Sequence, residues 1–201
     1  MSRVAVNASV SLDGFIARPD DSVGPLFDWY GNGDTEFNGG DPERVFRVSR
    51  ASADYLGRVW PTFAVCVIGR RLFDLTDGWG GRPAVGDHVV VVTHRPADEW
   101  KARYPDAPFR FTGDAASGIA LAKELAGDRN VSLTAGNLGG QALALGLVDE
   151  VAMDLVPVVL GRGIRYFGDY DGGELLLSDP DVTIQGDRVT HLNWRVGKGR
   201  T

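Results

Sequence analysis

Short runs of β-branched residues alternate along this chain with segments of helical spacing, and that alternation predicts an α/β architecture. Val4–Val10 is valine-rich and alternating, as a strand is, and Ser11–Ala17 then turns through Asp13-Gly14. Phe63–Ile68 and His88–Thr93 are continuous apolar runs of the kind that strands buried on both faces show. Phe109–Thr112 predicts a short strand, Val131–Ala135 a buried one and Glu150–Leu160 a long one. Ile119, Ala122, Leu125 and Ala126 share one face of a helix over Ala115–Ala126 that Gly127 stops; Leu138–Leu145 is a helix ended by Gly146. Arg71–Leu75 begins a short helix. Asp41-Pro42 supplies an N-cap and a first-turn proline, and Val45, Val48, Ser52, Tyr55 and Leu56 continue at helical spacing to Gly57.

Beyond residue 173 the pattern changes. Glu174–Leu177, Val182–Gln185 and Val189–Val196 predict strands with no helix between them, the last two joined by a hairpin turn at Gly186-Asp187. A β-α alternation followed by an antiparallel tail predicts a mixed sheet with helices on both faces. The 201 residues are expected to form a single domain, 1–201. Arg18–Gly40 is polar and glycine-rich yet carries Phe27, Trp29, Tyr30 and Phe37. It is expected to be a mobile lid over a site, with a fixed loop packed on the sheet or on a second subunit as the alternative.

Hydrophobic content of 43% and charged content of 24% are those of an ordinary globular protein. The apolar runs are far too short to span a bilayer, the N-terminus lacks the long apolar stretch of a signal peptide, and a cytoplasmic protein is expected. A net charge of −6 without any basic run argues against a nucleic-acid partner. An anionic ligand must then be drawn by individually placed arginines, so the position of each matters more than the total. The single cysteine, Cys66, excludes an internal disulfide and sits in a buried strand, where a thiol is inert. No metal-ligand spacing is present.

Candidate chemistry concentrates at strand ends. Val131–Gly140 is a strand running through a glycine-rich turn into a helix, a place where a phosphate can approach backbone N–H groups. Val65–Arg71 and Val89–Pro96 each put basic residues just past a β-branched run. Three such ends predict one dinucleotide lying across the carboxyl edge of the sheet.

SLDGFIA, VIGRRLFD, VVVVTHRP, TAGNLGGQAL and GLVDEVAMDLVPVVLGRG, in that order, resemble the dihydrofolate-reductase-like superfamily, and most of all the reductase domain of riboflavin biosynthesis and its stand-alone bacterial relatives. The resemblance implies a three-layer sandwich around a mixed, mostly parallel sheet of about eight strands with an antiparallel C-terminal hairpin, NADPH as hydride donor, and a homodimer. It implies that Gly69, Arg70 and Arg71 hold phosphates, that Thr93, His94 and Arg95 lie near the adenosine 2′-phosphate, and that Gly136, Asn137, Leu138, Gly139 and Gly140 form the pyrophosphate turn. It places Ser9, Ile16 and Ala17 beside the nicotinamide. The His-x-Glu and Cys-x-x-Cys of a zinc deaminase are missing, so the resemblance extends to the reductase alone.

On the substrate side the residues leave alternatives open. Asp13 either caps its Asp-Gly turn or contacts substrate. Asp54 lies next to Ala53, the position matched to the carboxylate of true dihydrofolate reductases, and either serves the substrate or sits on an exposed helix face. Arg162 and Arg165 either reach an anionic substrate or are solvated; Trp29 and Tyr30 either stack on a planar substrate or pack. His191, in mid-strand, is expected to be structural. No catalytic residue is identified. The expected function is an NADPH-dependent reductase of a small heterocycle, such as a ribosylated aminopyrimidine. The alternative is a non-catalytic dinucleotide-binding protein, a sensor or a partner subunit.

Overall fold

The computed structural model describes residues 2–39 and 41–197. In chain order the strands are β1 (Val4–Ser11), β2 (Phe15–Ala17), β3 (Thr35–Phe37), β4 (Phe46–Val48), β5 (Phe63–Gly69), β6 (His88–Val92), β7 (Phe109–Thr112), β8 (Asn130–Thr134), β9 (Glu150–Val156), β10 (Ile164–Arg165), β11 (Val182–Gly186) and β12 (Val189–Arg195). The α-helices are α1 (Arg50–Val59), α2 (Arg70–Thr76), α3 (Asp98–Arg103), α4 (Ala115–Ala126) and α5 (Asn137–Ala144). Eight strands form one sheet in the order β11-β12-β9-β1-β8-β5-β6-β7. The six from β9 to β7 are parallel, and β12 and β11 complete the sheet antiparallel. The mixed α/β sheet with an antiparallel C-terminal hairpin is the architecture expected.

The layers follow from side-chain alternation. On one face Val4, Val6, Val67, Val131, Leu133 and Val151 pack against Ile119 and Ala122 of α4 and Ala142 of α5. On the other face two separate clusters form. Cys66, Ile68, Val89 and Val91 pack under Phe73 of α2 and Trp100 of α3. Val156 and Val189 pack under Tyr55 and Leu56 of α1 and under Leu26 and Trp29, which belong to a 3-10 helix over Gly24–Tyr30. Burial pushes the Cys66 thiol up to about 12, so it stays protonated.

Three elements depart from expectation. The helix expected from Asp41 begins only at Arg50, with Ser49 as its N-cap. Asp41 instead closes a single turn, accepting from the Glu43 N–H through its side chain and from the Arg44 N–H through its carbonyl, and Phe46–Val48 leaves that turn to pair with β3. Segment 174–177 forms no strand; one bridge, Leu177 with Val196, joins it to the residue that follows β12. The long strand stops at Val156, just before Pro157, which lacks the N–H a ladder needs.

Segment 18–39 is packed rather than open. Leu26 and Trp29 are buried, and β3 is held by β4, with the Gly33 N–H donating to the Arg47 carbonyl. This arrangement matches the fixed-loop alternative. Gly40, the end of the expected lid, lies outside the described residues.

Candidate functional site

Strand alternation puts small and polar side chains on the sheet face between α1 and α2. β1 contributes Ala5, Asn7 and Ser9, β8 contributes Ser132 and Thr134, and β9 contributes Ala152 and Asp154. Their registers, Ala5 with Ser132, Asn7 with Thr134 and Ser9 with Asp154, set them side by side. They form the floor of a cleft of about 1780 Å³. Phe27, Tyr30 and Tyr55 border it, as do Leu72, Leu75 and Trp79.

The cleft opens onto the carboxyl edge. Because β1, β8, β5 and β6 are parallel neighbours, the segments that follow them lie side by side along that edge. Gly136, the N-cap of α5, has φ 88° and ψ −156°, a combination essentially confined to glycine. A Cβ on it would meet only Ile16 Cδ1, at 3.5 Å, and a Cβ on Gly69 would meet nothing within 4 Å. Backbone is thus open to a ligand at both turns, and the start of α5 favours an anion beside it. Ser9, Ile16, Ala17, Gly69, Arg70, Arg71, Gly136, Asn137 and Leu138 all line this cleft. Ile16 and Ala17 are steadied by the pairing of β2 with β10.

Gly139 and Gly140 do not line it; both are buried packing residues. A Cβ on Gly139 would press on Val6 at 2.8 Å, and one on Gly140 would lie 2.0 Å from the Phe167 carbonyl oxygen. Arg70 is also committed internally. It pairs with Asp74 at 2.6 Å and donates to the Arg95 and Pro96 carbonyls at 3.0 Å each, bracing two of the edge segments against each other. Arg71 and Arg95 are more exposed and pair with Asp21 at 2.6 Å and Asp74 at 2.9 Å. Exposed pairs of this kind contribute little to stability, so a phosphate can replace the carboxylate.

Thr93, His94 and Arg95 line a second cavity of about 350 Å³ with Lys101 and Thr112. Lys101 stands 4.7 Å over the Phe111 ring. It was not among the residues expected, because α3 was not foreseen from the sequence. Together the two cavities fit an extended anionic dinucleotide: open glycine turns at the middle of the edge and cationic groups at its far end.

The substrate-side expectations need revision. Asp54 is exposed, pairs with Arg50 at 2.8 Å and lies outside the cleft lining; α1 turns Tyr55, Leu56 and Val59 inward instead. Trp29 is buried and donates through Nε1 to Ser9 Oγ at 3.1 Å, so it packs and does not stack on a ligand. Tyr30 does border the cleft. Asp13 caps its loop, accepting from Ser11 Oγ at 2.6 Å, the Gly161 N–H at 2.6 Å and the Leu160 N–H at 3.1 Å. The Ser11 hydroxyl and those two N–H groups hold its carboxyl below the usual range. Arg162 is exposed and does not line the cleft, whereas Arg165 does.

The floor also carries a group that the sequence did not single out. Asp154 Oδ1 lies 2.6 Å from Nδ1 of His191, its cross-strand neighbour, and His191 Nε2 lies 2.9 Å from Ser52 Oγ. His191 is fully buried and bonded at both ring nitrogens, as a structural histidine is. Tyr30 and Tyr55 are pushed above the usual phenol range, first by burial and then by the Asp154 charge, and so remain protonated.

No protein-family model matches the chain, and no curated protein matches it. Solved structures do. A protein from Shewanella sp. PV-4 named for riboflavin biosynthesis superposes with a TM-score of 0.66 at 17% identity, covering 98% of this chain and 100% of that one. A pyrimidine reductase-like protein from Corynebacterium diphtheriae gives 0.60 at 14% identity over 98% of this chain and 93% of that one. A diaminohydroxyphosphoribosylaminopyrimidine deaminase/5-amino-6-(5-phosphoribosylamino)uracil reductase from Thermotoga maritima gives 0.60 at 11% identity, and the chain spans 57% of its length. The fold is the one these three proteins share, as the sequence resemblance implied.

Proposed function

We propose that the protein is an NADPH-dependent reductase acting on a small planar heterocycle in the cleft over β1, β8 and β9. One observation carries the reading: a polar, uncovered sheet face runs directly into three strand ends open to an anion on the same carboxyl edge. The pyrimidine reductases that share the fold support it. When bound, NADPH supplies a hydride from C4 of its nicotinamide. Ile16 and Ala17 would flank that ring, and the Gly136 turn would hold the pyrophosphate. His94, Arg95 and Lys101 would hold the adenosine phosphate. The cleft walls orient the substrate and exclude water, and orientation alone can supply roughly 7–11 kcal/mol of barrier lowering in favourable cases. The substrate class we favour is the ribosylated aminopyrimidine named for the Thermotoga protein.

Titration with both cofactors tests the reading. A charge-assisted phosphate contact contributes about 1.5–3 kcal/mol, which corresponds to roughly tenfold to hundredfold tighter binding of NADPH than of NADH. Equal affinities would sink it. Tight binding without NADPH oxidation on any carbonyl, imine or aminopyrimidine substrate would favour the non-catalytic dinucleotide-binding protein instead. We also propose a homodimer, since Leu176 is 90% exposed beside the β12 end and β11 is an open sheet edge. Light scattering should give twice the 21.6 kDa chain mass; the chain mass itself would refute the dimer.

A further inference from the structure

Three carboxylates stand on the strand side of the cleft, and they are not equivalent. Glu150 meets Arg3 at 2.5 Å and Asp181 meets Arg195 at 2.6 Å. Among the described residues Asp154 pairs with no arginine or lysine; its ion-pair contact is with His191.

The protons of that contact can be followed outward from α1. The Ser52 N–H donates to Ser49 Oγ, and the Ser49 hydroxyl donates to Ser52 Oγ at 3.1 Å. The Ser52 hydroxyl is then free to donate to His191 Nε2. In either ring form that protonates Nδ1, His191 donates to Asp154. The chain Ser49–Ser52–His191–Asp154 therefore holds the carboxylate in one orientation through hydrogen bonds. The second carboxylate oxygen takes no hydrogen bond among the described residues. The side chain keeps 23% exposure and lines the cleft.

Its surroundings narrow what can complete it. Tyr30 and Tyr55 border the same part of the cleft, and Tyr55 stacks on the His191 ring at 4.7 Å between centroids. Asp154 is in register with Ser9 on the adjacent strand. A carboxylate held in place among aromatic walls complements a flat ring whose edge carries a positive charge or N–H donors, and it repels an anionic edge.

We propose that Asp154 is the substrate-recognising carboxylate of the cleft and that it selects planar rings with a protonated or amino-bearing edge. His191 and Ser52 are positioning residues that keep it oriented. The proposal rests on the cleft being the substrate site of the proposed reductase, but its test needs no turnover. Benzamidine, benzamide and benzoate present the same ring with a cationic, a neutral and an anionic edge. Titrated calorimetrically into the full chain, with and without NADPH, they should bind in that order, benzamidine at least tenfold more tightly than benzoate. Asp154→Asn should weaken benzamidine at least tenfold, leave benzamide within about twofold and leave NADPH affinity unchanged. Ser52→Ala should narrow the benzamidine-to-benzamide ratio severalfold.

The proposal is overturned if the wild type fails to bind benzamidine or does not prefer it. It is equally overturned if a folded Asp154→Asn keeps that preference. Should Asp154→Asn not fold, as judged by circular dichroism, an unchanged ratio in Ser52→Ala overturns it. A wild type that binds benzamidine in the expected order but binds no NADPH would remove the reductase reading and leave the role of Asp154 intact.

Discussion

On one face of the central sheet, Val4, Val6, Val131, Leu133 and Val151 have no exposed surface and are sealed by α4 and α5. One residue further along the same strands, Asn7, Ser132, Thr134 and Ala152 line the cleft, and Asp154 follows two residues on. The two faces share a backbone and a register, so the difference lies wholly in side-chain choice. The sealed face holds the fold, while the open face was left small and polar where further valines would have stabilised the protein more. Substitutions at neighbouring positions should therefore separate stability from binding.

The largest effect is expected on the sealed face. Leu133→Ala should lower stability by about 2–5 kcal/mol, through lost burial and the cavity left behind. Ser132→Ala, one residue away, removes one hydroxyl, the acceptor for Asn7 Nδ2, and should cost only about 1 kcal/mol. Urea denaturation checks both, and comparable losses would mean that the open face also carries the fold.

Gly136→Val comes next and sharpens the comparison at the edge where the faces meet. Its backbone conformation costs a branched residue about 1–3 kcal/mol, and the new side chain would occupy the space above the turn. NADPH affinity should fall at least tenfold while circular dichroism stays native-like. Unchanged affinity would make the turn purely structural.

The smallest effect is expected from Asp13→Asn. Because its carboxyl is held below the ordinary value of 3.8, the wild-type clamp is complete above that pH and is lost as pH falls through the depressed value. The variant should melt slightly lower than wild type at neutral pH, with the gap closing in acid. A gap that stayed constant with pH would show that the charge of Asp13 does not matter.

Much of this fold could be read from the chain because its strands are β-branched and its helices carry clear stops. Phe109–Thr112 and Ala115–Ala126 fall where the pattern puts them. The start of α1 was misread because Asp41-Pro42 has the chemistry of a helix start, and only pairing with β3 makes Phe46–Val48 a strand. The strand ends along the carboxyl edge were legible because each of their segments is local. The Asp154–His191–Ser52 group was not, since its members are 37 and 139 residues apart and meet only through sheet register and the packing of α1. A signal did exist: Glu150 and Asp154 put two carboxylates, with the small Ala152 between them, on one face of an otherwise apolar strand.

The central place of β1 has a consequence for how the chain comes to be folded. Its neighbours are β8 and β9, and Val4 pairs with Val131. At translation rates of about 5–20 residues per second, the first strand waits roughly 6–25 s for its first partner. Throughout that time a valine-rich segment has both edges unpaired, and the loop to be closed is long, which makes folding slow. The strand that floors the cleft is thus the first to be made and among the last to be secured, so a nascent chain stalled before residue 131 should be the form of this protein most prone to aggregate.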